Sequence, residues 1–191
     1  AYLYKRLMNI IDKSLYEDVA GDIKNKNVSV LKKIIAFFAT STVPTISPQK
    51  LSNALDISKN TLYHYLELIE RAGLLRKYLP FGLGKKKIRS GEKVFLSNTN
   101  FYFALFESQW KQSANIGTLR EAFFASQVDF LGVEIPESAD FVVKGQYFFE
   151  IGGKSKTSKQ ISGMDNAWLL KDDIEIGFGK HLPLYLVGFL R

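Results

Sequence analysis

The sequence predicts an α/β fold in two parts, and three observations carry that prediction. Two short helical patterns stand about three residues apart, each opened by a serine. Two apolar runs follow, separated by a glycine-containing and strongly basic stretch. From about residue 101 the chain passes through helical patterns into three closely spaced strand-like runs. Helix, consecutive strands and then mixed elements argue for an α/β domain whose sheet begins antiparallel.

Taken in order, YLYKRLMNIIDKSLYEDVAGDI is a helical opening, and VLKKIIAFFAT (30–40) has apolar residues at helical spacing. In SPQKLSNAL, Ser47 is a good N-cap and Pro48 sits at the first helical position, where its missing N–H costs nothing. That helix stops near Asp56 and Ile57. Ser58 caps a second, SKNTLYHYLELIERAG, with Leu62, Leu66 and Ile69 on one face and Gly73 as its stop. LLRKYLP and KVFLS then read as two strands of a hairpin. Three helices followed by a basic hairpin predict a winged helix-turn-helix over residues 29–100.

Composition narrows the function classes. With 191 residues, 46% of them hydrophobic, the chain can build a sizeable core as one domain or two small ones. The absence of cysteine excludes disulfides, thiolate metal sites and a cysteine nucleophile. No GxSxG nucleophile elbow is present, and His64 and His181 stand far apart, which argues against a zinc site. No uncharged apolar run approaches the ~20 residues of a membrane span, and no secretory leader pattern opens the chain, so a cytoplasmic location is expected. The chain opens on Ala1 within a helical pattern rather than on a methionine, as expected of a piece of a longer protein.

The net charge is +7, and one stretch nearly accounts for it. Between Arg76 and Lys93 stand Arg76, Lys77, Lys85, Lys86, Lys87, Arg89 and Lys93 against Glu92 alone. Such a run is often a solvated loop, but here it falls on the wing. On the outward side of the second capped helix lie Lys59, Asn60, Thr61, Tyr63 and His64, residue types that contact phosphates and base edges. DNA is therefore the expected partner. The alternative is a winged helix that only packs on neighbouring domains, with Glu67 and Arg71 paired one turn apart. Aromatics make up 14% of the chain, in runs such as FYFALF and QYFFE, so a protein-docking module is the rival reading.

The C-terminal part carries a candidate site. NIGTLREAFFASQVDFLG predicts a helix with Leu119, Phe123, Val128 and Leu131 on its apolar face and Gly132 as its end. VEIP, DFVVK and QYFFEIG are strand-like, KGQ is a hairpin connection, LKDDIEIGFG suggests a further strand, and LPLYLVGFL is a terminal apolar segment. The short KGQ link brings Asp140 and Glu150 opposite one another at the ends of adjacent strands. Paired carboxylates there suit a hard cation such as Mg²⁺, with Glu121 as a third acid from the preceding helix. Acid, strand, acid and lysine is the order in which many metal-dependent nucleases place their sites, yet Gly152 stands where such a site has lysine. The same spacing is also met by a turn-capping Asp140 and a solvent-facing Glu150.

These stretches resemble the C-terminal half of a large family of bacterial and archaeal AAA+ ATPases. There a winged helix is followed by a restriction-endonuclease-like domain of the PD-(D/E)XK type. The matching segments are ISPQKLSNALDISKNTLYHYLELIERAGLL, KVFLSNTNFYFAL, GTLREAFFASQV, ADFVV and FFEIGGKSKTSKQI. The resemblance implies lid-like helices over 1–28, a winged helix over 29–100 and a restriction-endonuclease-like domain over 101–191. It implies Glu121, Asp140, Glu150 and Lys154 as catalytic residues, with Asp140 and Glu150 as the metal ligands and Lys154 folding back across Gly152 and Gly153. Gln160 matches a polar position of the family, whereas Asn98 stands where the family often has aspartate. It also implies an upstream ATPase domain as partner and an oligomer of the full-length protein. No GxxxxGK[ST] motif occurs, so ATP is expected to bind only upstream of this chain. With no lysine at position 152, weak Mg²⁺ binding and little cleavage are expected.

Overall fold

The structure is a computed structural model that describes residues 2–19, 28–42, 44–82, 92–110 and 116–190. It mixes helices with strands and divides into two units, Ala1–Lys77 with Val94–Asn115, and Tyr78–Lys93 with Ile116–Arg191. The division does not coincide with a boundary at residue 101. The helix that follows the hairpin belongs to the first unit, and the segment after Lys77 belongs to the second. No helix among the described residues is long and apolar enough to cross a membrane.

The first unit is built on helices. Helix α1 (Tyr2–Lys13) runs into a π-helical stretch, Ser14–Val19, and the two bury Ile11, Leu15 and Val19. Helix α2 (Val28–Thr40) buries Leu31, Ile34, Ile35 and Phe38, the three- and four-residue spacing of one helical face. In α3 (Pro48–Ala54) the Ser47 side chain accepts from Lys50 N, and Pro48 opens the first turn. In α4 (Lys59–Arg71) Ser58 Oγ accepts from Thr61 N at 3.0 Å, filling one of the unpaired donors of a helix start. Gly73, at φ +73°, takes the chain out of that helix. Both N-caps and the glycine stop stand where the sequence places them.

Strands β1 (Leu75–Tyr78) and β2 (Lys93–Leu96) pair as a two-stranded sheet. Helix α5 (Thr99–Trp110) is kinked at Phe106 and packs on α1 and α2. Asn98 Oδ1 accepts from Asn100 N at 2.9 Å, so Asn98 serves the start of α5. Lys85, Lys86, Lys87 and Arg89 lie outside the described residues.

The second unit is a five-stranded sheet with a helix packed on it. Its strands β3 (Val133–Glu134), β4 (Phe141–Val143), β5 (Tyr147–Gly152), β6 (Ala167–Lys171) and β7 (His181–Pro183) lie in sequence order. The first three are antiparallel, as expected, while β5, β6 and β7 run parallel. The turn after β4 is tight because Lys144 and Gly145 both take positive φ, 52° and 66°. Helix α6 (Ile116–Val128) buries Leu119, Ala122, Phe124, Ala125 and Val128. Phe124, rather than the expected Phe123, is fully buried, with its ring centroid 5.2 Å from that of Phe141 and 5.0 Å from that of Phe149.

The strand expected within LKDDIEIGFG is displaced. Strand β6 ends at Lys171, and Asp173 turns away at φ 63°. Arg120 Nε donates to Asp172 Oδ2 at 3.1 Å, and its Nη2 lies 3.7 Å from Asp173 Oδ2. The terminal apolar segment forms β7 and then a 3-10 helix, Leu184–Phe189.

Candidate functional site

The antiparallel register fixes the acid pair. Phe141 faces Phe149, so the next positions outward are Asp140 and Glu150. Ile151 N donates to Asp140 Oδ2 at 2.8 Å, which ties the two strand ends together. Glu150 is 0% exposed, so the solvent-facing alternative does not hold for it. A buried carboxylate demands a counter-charge or a proton.

Two lysines meet these acids within the second unit. Lys93 Nζ lies 2.7 Å from Glu121 Oε2, 3.9 Å from Asp140 Oδ1 and 5.0 Å from the centre of the Phe141 ring. Lys156 Nζ lies 2.5 Å from Glu150 Oε1. That contact is a close ion pair to Oε1, and Glu150 Oε2 has no hydrogen-bond partner among the described residues. Lys154, the expected partner, is exposed, and what it contributes is its backbone carbonyl, which accepts from Lys171 Nζ at 3.0 Å. The fold-back across Gly152 and Gly153 does take place, but two residues later. Gln160 is exposed on the 3-10 turn Lys159–Ile161.

Charge and burial act together here. Burial raises the pKa of Glu121 above the ordinary carboxylate value, Lys93 opposes the rise, and the charge of Asp140 adds to it. Burial likewise raises Glu150, against Lys156, with Asp140 again adding. For Lys156 burial lowers the pKa, but the contact with Glu150 and the charges of Glu150, Asp140 and Glu121 outweigh it, and the net shift is upward. Glu121, Asp140, Glu150, Lys93 and Lys156 therefore form one coupled cluster.

Asp140 and Glu150 fit a hard cation to a limited degree. Both offer oxygen donors, and although Lys156 already meets Glu150 Oε1, Oε2 is buried without a hydrogen-bond partner among the described residues. No group of three or more His, Cys, Asp or Glu side chains among the described residues is arranged to hold a metal ion. Two carboxylates suffice where substrate phosphates and waters complete the shell, as Mg²⁺ favours.

A second candidate surface lies on α4 in the first unit. Lys59, Asn60, Tyr63 and His64 are exposed, whereas Leu62, Tyr65, Leu66, Leu68 and Ile69 are buried. Thr61 is half-buried and its hydroxyl meets that of Ser58 at 2.8 Å. Two lysines of the basic run have acidic partners: Lys77 Nζ lies 3.0 Å from Glu70 Oε2, and Lys93 meets Glu121.

Lys93 and Lys156 are the two members of the cluster that the sequence leaves out of the site. For Lys93 no local signal exists, since its partner is 28 residues away. For Lys156 the signal is the adjacent pair Gly152 and Gly153. A Cβ on Gly152 would overlap that of Lys156, and one on Gly153 would lie 3.1 Å from the Arg120 guanidinium nitrogens.

Among known proteins, residues 2–112 match a family described as a domain of unknown function, DUF8612. An uncharacterized protein of Methanocaldococcus jannaschii is 27% identical over 95 residues, which cover 48% of this chain and 20% of that relative. The matched part thus spans about a fifth of the relative's length. No solved structure matches the chain. The family match extends over more than half of the sequence and ends just before α6; the chain belongs to the DUF8612 family.

Proposed function

We propose that this chain engages DNA through a winged helix-turn-helix, with α4 as the helix that enters the major groove. The single observation that carries the reading is the two-sided character of α4. Leu62, Tyr65, Leu66, Leu68 and Ile69 are buried, while Lys59, Asn60, Tyr63 and His64 stand exposed together in its first two turns. The N-terminal part of a recognition helix is the part that contacts base edges and phosphates. The sequence between β1 and β2 adds the basic residues Lys85, Lys86, Lys87 and Arg89, which this reading assigns to phosphate contacts. By the resemblance of its sequence, the chain acts on behalf of an upstream AAA+ ATPase domain.

A salt titration of duplex DNA binding tests the reading. Log affinity is expected to fall with log salt by about 0.9 per phosphate contact. Lys59→Glu, and separately Lys85, Lys86 and Lys87 together to Glu, are expected to weaken binding to all sequences. Unchanged affinity in both variants would favour docking on protein instead.

A second reading is favoured by the buried Glu150 with Asp140 beside it. It is that the second unit is a restriction-endonuclease-like module acting on the phosphodiester backbone. Asp140 and Glu150 would hold Mg²⁺, which when bound supplies Lewis-acid stabilisation and an activated water. Glu121 and Lys93 hold the Asp140 end of the cluster in place. Cleavage of single-stranded, duplex or branched DNA with Mg²⁺ or Mn²⁺, lost in Glu150→Gln, would support this reading. Absence of cleavage on all three would leave a binding scaffold.

A further inference from the structure

We infer that Lys156 is the phosphate-facing lysine of the acid cluster, occupying from a later turn the side-chain space that Gly152 leaves empty. The inference rests on the nuclease-like reading of the second unit and names the residue that completes it.

Three observations carry it. Residues two apart on a strand share a face, so a side chain at position 152 would point to the same side as Glu150. Gly152 has none, and the space is taken. A Cβ built there would overlap Lys156 Cβ and lie 2.5 Å from its Cγ and 3.0 Å from its Cδ. The Lys156 stem therefore runs where a lysine at 152 would run. The backbone makes this possible, because Lys156 N donates to Gly153 O at 3.0 Å, closing a turn that returns residue 156 toward the strand end.

The ammonium arrives at the acid it must accompany. Lys156 Nζ lies 2.5 Å from Glu150 Oε1, and its side chain is 38% exposed while that of Glu150 is fully buried. Lys156 thus has one side on the carboxylate and one open to a ligand. An ammonium so placed balances the buried carboxylate and can donate to a phosphate oxygen at the same edge. Gly152 is then required rather than lost, since any side chain there expels Lys156. The ligand class is the phosphodiester backbone of a nucleic acid, read as charge.

Relocating the lysine tests this. Four proteins are compared: wild type, Glu150→Gln, Lys156→Gly, and Lys156→Gly combined with Gly152→Lys. Glycine is used at 156 because even a Cβ there would meet the new side chain. Each is measured for duplex binding in EDTA across a salt series, and for cleavage with Mn²⁺. Lys156→Gly is expected to reduce the salt slope by about 0.9 and any cleavage roughly 100-fold. The relocated lysine is expected to restore both, which a merely structural lysine would not do.

If Glu150→Gln abolishes cleavage while Lys156→Gly behaves as wild type, the lysine assignment is overturned and the nuclease-like reading stands. If neither variant changes binding or cleavage, that reading fails and the assignment with it. A loss in Lys156→Gly that relocation does not repair also overturns the assignment. Where wild type binds without cleaving, the slope in EDTA decides by the same criteria.

Discussion

The two units handle charge in opposite ways. In the first, the interior of α2 and α4 is aliphatic with Phe38 and Tyr65, and the polar groups of α4 face outward around Lys59 and His64. The second combines an aromatic cluster of Phe124, Phe141 and Phe149 with a fully buried Glu150. A unit whose polar groups stand on an exposed helix face keeps its interior apolar. A unit with a carboxylate buried on the central strand of its sheet must hold charge in a low-dielectric place, and it needs counter-charges to do so. Lys93 and Lys156 are those counter-charges.

The aromatic core should show the largest effect. Phe124 is 0% exposed and touches two rings, so Phe124→Ala is expected to cost about 3–5 kcal/mol. Urea unfolding followed by tryptophan fluorescence reads it, because Trp168 stacks on Phe149 with centroids 5.8 Å apart. A loss below 1 kcal/mol would mean that this packing is not formed in solution.

Next comes the buried pair. Lys156→Met keeps the stem but removes the charge, and leaving Glu150 buried without its cation should cost about 1–3 kcal/mol. Adding Glu150→Gln should recover most of that loss, as expected of two partners in contact. Additive losses would place the two side chains apart.

The same cluster gives the stability a pH dependence. Glu121 and Glu150 both have folded pKa values raised above the ordinary carboxylate value. Between the unfolded and the folded pKa the folded protein therefore holds more protons. Stability from these groups falls as pH rises through that window and is level above it. Lys156 is raised too, so its contribution is present below the ordinary lysine value and is lost as pH rises through the folded one. Urea midpoints in mildly acidic buffers should fall with rising pH, and replacing both glutamates by glutamine should flatten the trend. An unchanged slope in the double variant would assign the pH dependence to other groups.

These contrasts also explain what could be read in advance. The helices of the first unit are local objects, and Ser47, Pro48, Ser58 and Gly73 mark their ends whatever packs around them. The link KGQ likewise forces β4 and β5 together, which is why Asp140 and Glu150 could be paired from spacing alone. Phe123 and Phe124 satisfy the helical period about equally, and only packing on the sheet selects Phe124. The apolar pattern of LKDDIEIGFG extends past the real strand end, because Asp172 and Asp173 are held by Arg120 of α6, about fifty residues earlier. Lys156 is near the acids in sequence but off the strand period, which points to position 152 where no side chain exists, and a turn has no period to extend. Lys93 escaped because its role is wholly nonlocal.

The helix ends offer a smaller test of the first unit. Ser58→Ala removes the acceptor for Thr61 N and the contact with the Thr61 hydroxyl, and should cost about 1 kcal/mol. Ser58→Gly should cost only a few tenths of a kcal/mol, because glycine is tolerated at a helix N-cap. Equal losses in the two variants would assign the effect to something other than capping.

The smallest stability effect is expected on the outward face of α4, and it bears most directly on function. Tyr63 is 43% exposed, a large aromatic on a helix whose apolar residues are otherwise turned in. If that face exists to meet nucleic acid, Tyr63→Ala should change stability by no more than about 0.5 kcal/mol, as for other surface positions. The same variant should weaken duplex binding, because Tyr63 is exposed along with Lys59, Asn60 and His64 in the first two turns, where a groove-entering helix makes its contacts. A packing role predicts the reverse pattern, with stability lost and DNA affinity unaltered. Thermal melts and a duplex titration on one protein preparation separate the two. Stability lost together with unchanged affinity would turn α4 from a reading helix into a docking surface.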